Sequence, residues 1–260
     1  MLDVIFQGPG PRILILGGTG EGASLARALA GRAQVTSSLA GRTRHPAALA
    51  GAVRTGGFGG PGGLARYLRE HRIERLVDAT HPFAARISAH AREAAERVGV
   101  PRLAVLRPMW RHEPADRWIW VADAADAARA LPGLPDAVFL ALGPGGLEAF
   151  MGVRGRRFVL RRIEPGPLPL EGAAVVLARG PFKLADERRL FEDYGVGTLV
   201  TRASGGAATE AKIVAARERG LPVVMIRRPP PEPGPCVSSV EAAAAWALSG
   251  ALSSADSGSS

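Results

Sequence analysis

The chain contains little of three residue types, and each shortage excludes a class of protein. It has one cysteine, Cys236, in 260 residues, so it can form neither an internal disulfide nor a cysteine-based metal cluster. Aromatic residues make up only 5% of the chain, too few and too scattered among the arginines for a nucleic-acid stacking platform. No apolar run approaches the roughly 20 residues that span a bilayer. We therefore expect a cytoplasmic globular protein with no membrane and no nucleic-acid partner.

Lysine is almost absent. Only Lys183 and Lys212 occur among 33 basic residues, and the formal net charge is +9. The basic residues do not form a run in the sequence, which favours a small polyanionic ligand over nucleic acid. Arginine keeps its proton near neutral pH whereas lysine can release it, so the two lysines are candidates for a special role. The five histidines are scattered, and we expect no metal site.

The two ends of the chain are not expected to belong to the folded domains. Residues 2–9 resemble a viral 3C-protease cleavage site, so residues 1–11 are interpreted as a remnant of such a tag. A basic segment followed by an apolar one, which would indicate a signal peptide, is not visible there. Residues 250–260 are rich in serine and are predicted to be a disordered tail.

Apolar strands alternate with helices between these ends. Strands are predicted at 12–16, 34–38, 52–55, 75–79, 102–106, 118–121, 137–142, 157–161, 173–178, 198–201 and 222–226. Helices are predicted at 62–71, 84–98, 184–194, 209–219 and 239–248. Continuous apolar strands separated by helices are typical of parallel sheets covered on both faces. The fold class is therefore predicted to be α/β.

An internal repeat predicts two domains of similar build. The sequence from Gly99-Val100-Pro101 to Arg107-Pro108 returns at a constant offset as Gly220-Leu221-Pro222 to Arg228-Pro229. We expect two Rossmann-like domains with parallel sheets, at 12–112 and 113–249, and the last helix could pack on either. Because ligands bind beyond the carboxyl ends of parallel strands, the ligand cleft is predicted between the domains.

A glycine turn follows the first predicted strand. Gly17-Gly18-Thr19-Gly20-Glu21-Gly22 leads from an apolar run into a helix. Such a turn lets backbone N–H groups at a helix N-terminus approach an anion closely. A phosphate-bearing ligand is the first hypothesis, and a tight strand–helix turn without a ligand is the alternative.

The end of the second strand indicates which dinucleotide would bind. Enzymes that prefer NAD usually carry an acidic residue there, but this chain reads Ser37-Ser38-Leu39-Ala40-Gly41-Arg42-Thr43-Arg44. A 2′-phosphate needs hydroxyl and cationic donors where a carboxylate would repel it. The pattern favours NADP(H), unless Arg42 and Arg44 are ordinary surface arginines.

Two residues are candidates for moving a proton. His81 follows a strand end and precedes Pro82, which disfavours a helical backbone at His81 and predicts an extended loop facing the cleft. Lys183 directly follows Arg179-Gly180-Pro181-Phe182, a segment that comes after another predicted strand. A loop histidine that only bonds its neighbours and a surface lysine are the alternatives. Asp78 lies on the predicted strand that precedes His81, and its carboxylate is expected to hold the loop through backbone N–H groups.

At this point the chain resembles the precorrin-6A reductase family of the cobalamin pathway, over residues 12–230. The resemblance rests on six motifs in order: Gly17-Gly18-Thr19-x-Glu21, Ala40-Gly41-Arg42-Thr43, Asp78-Ala79-Thr80-His81-Pro82-Phe83-Ala84, Arg179-Gly180-Pro181-Phe182, Ser204-Gly205-Gly206 with Lys212, and Arg228-Pro229. It implies an oxidoreductase that uses NADPH to reduce a conjugated ring double bond of precorrin-6A, giving precorrin-6B in the aerobic route to vitamin B12. The polycarboxylate macrocycle suits the positive net charge.

The turn, the second strand end and the resemblance together give the expected site. Expected cofactor contacts are Gly17, Gly18, Thr19, Gly20, Glu21, Ser38, Arg42, Thr43, Thr80, His81 and Pro82. Expected substrate contacts are Arg162, Gly180, Pro181, Phe182, Ser204, Gly205, Gly206 and Lys212. The catalytic candidates are His81 and Lys183. Arg202 stands where the resemblance leads us to expect lysine, so only charge binding is assigned to it.

Two other functions fit part of the pattern. A different NADP-dependent reductase could use the same glycine turn, but short-chain reductases commonly need Tyr-x-x-x-Lys, and neither Tyr67 nor Tyr194 has a lysine four residues on. A protein that binds a nucleotide or a tetrapyrrole without turnover is the non-enzymatic alternative. It would bind without consuming NADPH.

Overall fold

The computed structural model describes residues 10–41, 49–143, 145–167 and 170–251. The expectations for residues 1–9, for Arg42 and Thr43, and for residues 252–260 lie outside these ranges. None of the described helices has the length and apolar character needed to cross a membrane. The chain divides into two compact units, Met1–Arg107 with Pro229–Ser260, and Pro108–Arg228.

The first unit begins with five strands and three helices. They are β1 (Arg12–Leu16), α1 (Gly20–Leu29), β2 (Gln34–Leu39), β3 (Ala52–Thr55), α2 (Pro61–Glu70), β4 (Arg75–Asp78), α3 (Ala85–Val98) and β5 (Arg102–Val105). The apolar run in β1 is buried throughout, because the sheet is covered on both faces.

The second unit has six strands and three helices. They are β6 (Arg117–Val121), α4 (Ala124–Arg129), β7 (Val138–Ala141), β8 (Phe158–Arg162), β9 (Ala174–Leu177), α5 (Leu184–Asp193), β10 (Thr198–Arg202), α6 (Ala211–Glu218) and β11 (Pro222–Ile226). Short 3-10 turns lie at Leu147–Phe150 and Ala207–Thr209. Phe139 and Phe191 meet edge to face in its core, where β7 packs against α5.

The chain then returns to the first unit through β12 (Cys236–Val237) and α7 (Val240–Ser249). β12 pairs with β5, and α7 packs against α1, where Trp246 joins the same buried cluster as Leu25. The expected second domain, 113–249, therefore differs from the observed unit: residues 229–251 complete the first unit, and the first boundary falls at 107/108. The physical reason is that β12 extends the first sheet and α7 covers its face.

Both sheets are parallel at every described strand pair. The strand order is β12-β5-β4-β1-β2-β3 in the first and β6-β11-β10-β7-β8-β9 in the second. The predicted α/β class with two Rossmann-like parallel sheets is confirmed. Because the carboxyl ends of parallel strands share one edge, residues that follow β4, β1 and β2 lie near one another.

Candidate active site

The glycine turn connects β1 to α1 at the carboxyl edge of the first sheet. Thr19 is the N-cap of α1: its Oγ1 accepts the Gly22 N–H at 3.1 Å and donates to the Ala79 carbonyl at 2.7 Å. The second bond ties the turn to the end of β4. A Cβ on Gly22 would stand 3.2 Å from Gly17 Cα, so the helix and the turn are closely packed. The turn is therefore held rigidly at the positive end of a helix, where anions are stabilised.

The outer side of this turn is open. Gly18 has φ +99°, and no described atom lies within 4 Å of the position that a Cβ would take at Gly18 or Gly20. Both residues are exposed. Glycines with open space over the backbone allow a phosphate to approach the N–H groups directly.

Glu21 lies in the first turn of α1 and contacts a guanidinium. Arg107 Nη2 donates to Glu21 Oε2 at 2.6 Å, and the two side chains are 10% and 26% exposed. The pairing neutralises a carboxylate that would otherwise repel a phosphate bound at the turn. Glu21 is predicted from the sequence as a cofactor contact, but its partner, 86 residues away, is not evident there.

A second cation lies at the carboxyl end of β2. Ser38 Oγ accepts a 2.7 Å hydrogen bond from Arg54 Nη1, and these two residues are direct partners in the β2–β3 register. Arg54 also donates to the carbonyls of Gly56 and Gly57, and its guanidinium carbon lies 3.8 Å from the Phe58 ring centroid. Arg54 belongs to none of the sequence motifs. The signal that could have found it is the parallel pairing of the two predicted strands, which places Ser38 beside Arg54.

The loop after β4 is organised by Asp78. Its Oδ1 accepts the Thr80 hydroxyl at 2.7 Å and the Thr80 N–H at 3.1 Å, and Ser88 Oγ lies 3.3 Å from the same hydroxyl. Asp78 is 5% exposed, so its role is to hold the loop, as expected. His81 is half-buried, and its Nδ1 accepts the Phe83 N–H at 3.2 Å. In the neutral ring the proton then belongs on Nε2.

In the second unit, a buried ion pair supports the turn after β9. Arg161 Nη2, at the end of β8, donates to both oxygens of Glu187 in α5 at 2.6 and 2.9 Å. The side chains are 10% and 4% exposed. The Arg161 guanidinium carbon lies 3.7 Å from the ring centroid of Phe182, which follows the cis peptide bond between Gly180 and Pro181. Arg161 therefore fixes the position of Phe182.

Two other predicted residues lie near this turn. Arg162 Nη1 donates to the carbonyls of Gly166 and Pro167 at 2.9 and 3.0 Å, so its guanidinium braces the loop that follows β8. Lys183 is the N-cap of α5: its backbone N–H donates to the Asp186 carboxylate at 2.8 Å, and its side chain is exposed. The ammonium group of Lys183 is thus within reach of solvent-borne ligands.

The loop after β10 is held by residues at the unit's two ends. Gly206 N–H donates to the Pro108 carbonyl at 3.1 Å, and Arg228 donates to the carbonyls of Ala203 and Ser204. Gly205 has φ +63°, and a Cβ there would stand 2.1 Å from the Pro108 oxygen. Only glycine fits this position.

Lys212 is buried beneath the same loop. Its Nζ donates to the Thr209 carbonyl at 2.6 Å and lies 4.8 Å from the Trp110 ring centroid, and the residue is 7% exposed. Trp110 in turn donates from Nε1 to the Gly206 carbonyl at 3.0 Å. This geometry makes Lys212 a support of the loop. Arg202 donates to the Gly145 carbonyl and braces the glycine turn after β7.

Each unit therefore gathers most of its described predicted residues at one carboxyl edge. In the first, the glycine turn, Ser38 and residues 80–82 follow the adjacent strands β1, β2 and β4. In the second, Arg162 and residues 180–182 and 204–206 lie at or after the ends of β8, β9 and β10. The described residues contain no group of three or more histidine, cysteine or acidic side chains that could hold a metal ion.

Comparison with known proteins agrees with this architecture. Residues 12–248 match the family model described as Precorrin-6x reductase CbiJ/CobK. The chain is 47% identical over 239 residues to the precorrin-6A reductase of Rhodococcus erythropolis, covering 90% of this chain and 96% of that protein. It is 41% identical over 238 residues to the precorrin-6A reductase of Rhodobacter capsulatus, covering 90% and 95%.

A solved structure shares the fold over nearly the whole chain. The structure described as CobK precorrin-6A reductase superposes with a TM-score of 0.86 and is 40% identical, covering 91% of this chain and 95% of that one. The resemblance drawn from the six sequence motifs is confirmed. The chain belongs to the precorrin-6x reductase family.

Proposed function

We propose that this chain reduces precorrin-6A to precorrin-6B and uses NADPH as the reductant. Membership of the family supports the reaction and the substrate. The observation that carries the proposal in the structure is the Thr19-capped turn: an open glycine backbone at a helix N-terminus, on the carboxyl edge of a parallel sheet.

The residues around this turn fit a phosphorylated dinucleotide. A Cβ at Gly18 or Gly20 would occupy the space that is open over the turn, where the diphosphate would bind. The end of β2 carries the hydroxyl of Ser38 and no acidic residue between positions 34 and 41. A carboxylate there would hold the ribose hydroxyls of NADH and repel a 2′-phosphate. The choice of NADPH over NADH rests on this difference.

NADPH, when bound, supplies a hydride to an electrophilic carbon of the conjugated ring, and one proton completes the reduction to precorrin-6B and NADP⁺. The loop with Thr80, His81 and Pro82 lies beside the turn and would face the reactive end of the cofactor. Asp78 holds this loop in place through Thr80. His81 accepts the Phe83 N–H at Nδ1, which orients Nε2–H to donate a hydrogen bond. Proton donation by His81 would require the imidazolium form, in which Nδ1 also carries a proton and releases the Phe83 N–H.

The second unit would bind the macrocycle and its carboxylates. Phe182 offers an apolar ring that Arg161 holds in place, and Lys183 offers an exposed cation next to it. The Ser204 and Gly206 segment offers a polar loop. Lys212 and Arg162 support these loops through carbonyl hydrogen bonds, so their contribution would be to position groups that touch the substrate.

The reaction is tested by mixing the protein with NADPH and precorrin-6A and following the absorbance of both. Loss of NADPH together with precorrin-6A supports the proposed function. Binding of either molecule without turnover would instead indicate a carrier or sensor. Turnover of NADPH with another acceptor but not with precorrin-6A would indicate a different reductase.

The proton step is tested by single-turnover hydride transfer in H81A, K183A and K183R. K183R keeps the positive charge but removes a releasable proton, so it separates charge binding from proton donation. If Lys183 donates the proton, K183R is as slow as K183A. A rate within about threefold of wild type, under about 1 kcal/mol, removes that residue from the chemistry.

A further inference from the structure

Arg54 is a half-buried cation, and each of its hydrogen-bond partners among the described residues is neutral. Nη1 donates to Ser38 Oγ and to the Gly56 carbonyl, and Nη2 donates to the Gly57 carbonyl. Within residues 10–41, 49–143, 145–167 and 170–251, no carboxylate forms an ion pair with it. Arg107, a buried cation near the glycine turn, has Glu21 as a counterion. The contrast marks Arg54 as a positive charge that the described part of the protein leaves uncompensated.

The guanidinium is also held in one orientation. Its carbon lies 3.8 Å from the centroid of the Phe58 ring and 5.2 Å from that of Tyr67, and those two rings meet edge to face at 5.3 Å. Stacking on an aromatic face and three hydrogen bonds remove most of the freedom of the side chain. A fixed planar fork binds a phosphate at a smaller entropic cost than a mobile one.

The place of Arg54 matches one part of the proposed cofactor. It lies at the carboxyl end of β3, opposite Ser38 in the register of β2 and β3, and Gly17 in the glycine turn donates its N–H to the Ser38 carbonyl at 3.0 Å. A dinucleotide whose diphosphate binds at the turn would place its adenosine ribose over the end of β2. The 2′ position of that ribose is where NADPH and NADH differ.

We propose that Arg54 is the residue that selects NADPH over NADH, by binding the 2′-phosphate together with the Ser38 hydroxyl. This inference rests on the proposed function. The three hydrogen bonds to described residues use three of the five guanidinium N–H groups, so Nε–H and one Nη2–H would be the donors to the phosphate. Phe58 supports the guanidinium from one side, and the adenine ring would stack on the other.

The test is calorimetric titration of the full-length protein with NADPH and with NADH. The variants are R54A, R54K and R42A, with R66A as a control that removes one exposed positive charge from α2 in the same unit. We expect R54A to weaken NADPH at least tenfold relative to NADH, so that the ratio of the two dissociation constants falls by that factor. R54K keeps the charge but loses the fork, and we expect an intermediate ratio. R66A should leave the ratio unchanged.

The NADH arm distinguishes a lost phosphate contact from a damaged fold. If R54A weakens both cofactors equally, or if the ratio changes less than tenfold, Arg54 does not read the 2′-phosphate and the inference is overturned. A drop in R42A with none in R54A overturns it as well and assigns the role to Arg42. If the wild-type protein binds neither cofactor, the proposed function fails instead, whatever the variants show.

Discussion

Arg107 Nη2 lies 2.6 Å from Glu21 Oε2 and joins the first turn of α1 to the last residue before the chain enters the second unit. The carboxylate lies at a helix N-terminus, where the helix dipole stabilises it. The guanidinium cancels its charge beside the open glycine turn. Residue 107 thus takes part in the candidate cofactor site although it belongs to none of the three loops that form it.

Replacing Arg107 by methionine is expected to weaken NADPH binding about tenfold, or about 1.4 kcal/mol. The reason is that an uncompensated Glu21 carboxylate would repel the diphosphate. The double variant R107M/E21Q removes that charge and should recover most of the affinity. Calorimetry on the two variants and on E21Q alone measures the effect. A double variant that binds no better than R107M would show that repulsion is not the cause.

The Arg161–Glu187 pair predicts a large effect on stability. Glu187 is 4% exposed at its side chain, and E187Q leaves the Arg161 guanidinium buried without a counterion. We expect a loss of about 3 kcal/mol or more in the free energy of unfolding, measured by urea denaturation followed by tryptophan fluorescence. The matched control is E218Q, which breaks the exposed pair with Arg188 and should change stability far less.

Replacing both members of the Arg161–Glu187 pair tests substrate binding independently of stability. In R161M/E187M both charges are replaced by apolar side chains of similar length, which often restores stability. The stacking of the guanidinium on Phe182 is still lost. We therefore expect near-normal unfolding, a raised KM for precorrin-6A and a KM for NADPH close to wild type. An unchanged substrate KM would show that Arg161 does not position Phe182 for binding.

Sequence patterns were sufficient for strands β1 to β11 and for most of the helices of both units. The apolar runs of β1 and β11 give the predicted bounds to the residue, because a strand covered on both faces leaves no ambiguity of period. Residues 229–251 are the exception. α7 is apolar on most of its surface, so its sequence does not indicate which sheet it covers, and β12 is only two residues long.

The candidate site was predictable where it depends on local chain geometry. The glycine turn, Asp78 and the loop after it could be predicted, because a strand end, a turn and a helix start follow one another in the sequence. Arg54 was not, because its position depends on the register between two strands. Lys212 shows the same limit: the sequence predicts it as a substrate contact, and only tertiary packing shows that its side chain is buried over Trp110.

The surroundings of Gly205 predict that an alanine there destabilises the protein more than an alanine at Gly195, although the two backbones are similar. Gly205 has φ +63° and Gly195 has φ +58°, but a Cβ at Gly205 would stand 2.1 Å from the Pro108 oxygen, whereas none of the described atoms lies within 4 Å of one at Gly195. G195A carries only the conformational cost, about 1–2 kcal/mol. G205A must also displace the loop from Pro108.

We therefore expect G205A to be less stable than G195A in urea denaturation and to show a raised KM for precorrin-6A, since the loop with Ser204 would shift. G195A, at the far end of α5, should keep the wild-type KM. Equal stability and equal KM in the two variants would mean that the contact between Gly205 and Pro108 does not hold the loop.

Thr19 links the helix cap to the neighbouring strand through one hydroxyl. Replacing it by valine preserves the shape and removes both the cap to Gly22 and the bond to the Ala79 carbonyl, so we expect a loss of about 1–2 kcal/mol in stability. T19S keeps the hydroxyl and should stay close to wild type. Because the capped turn is the proposed phosphate site, T19V should weaken NADPH and NADH by the same factor, in contrast to R54A. Calorimetry with both cofactors checks this, and a selective loss of NADPH in T19V would place the 2′-phosphate at the turn and not at Arg54.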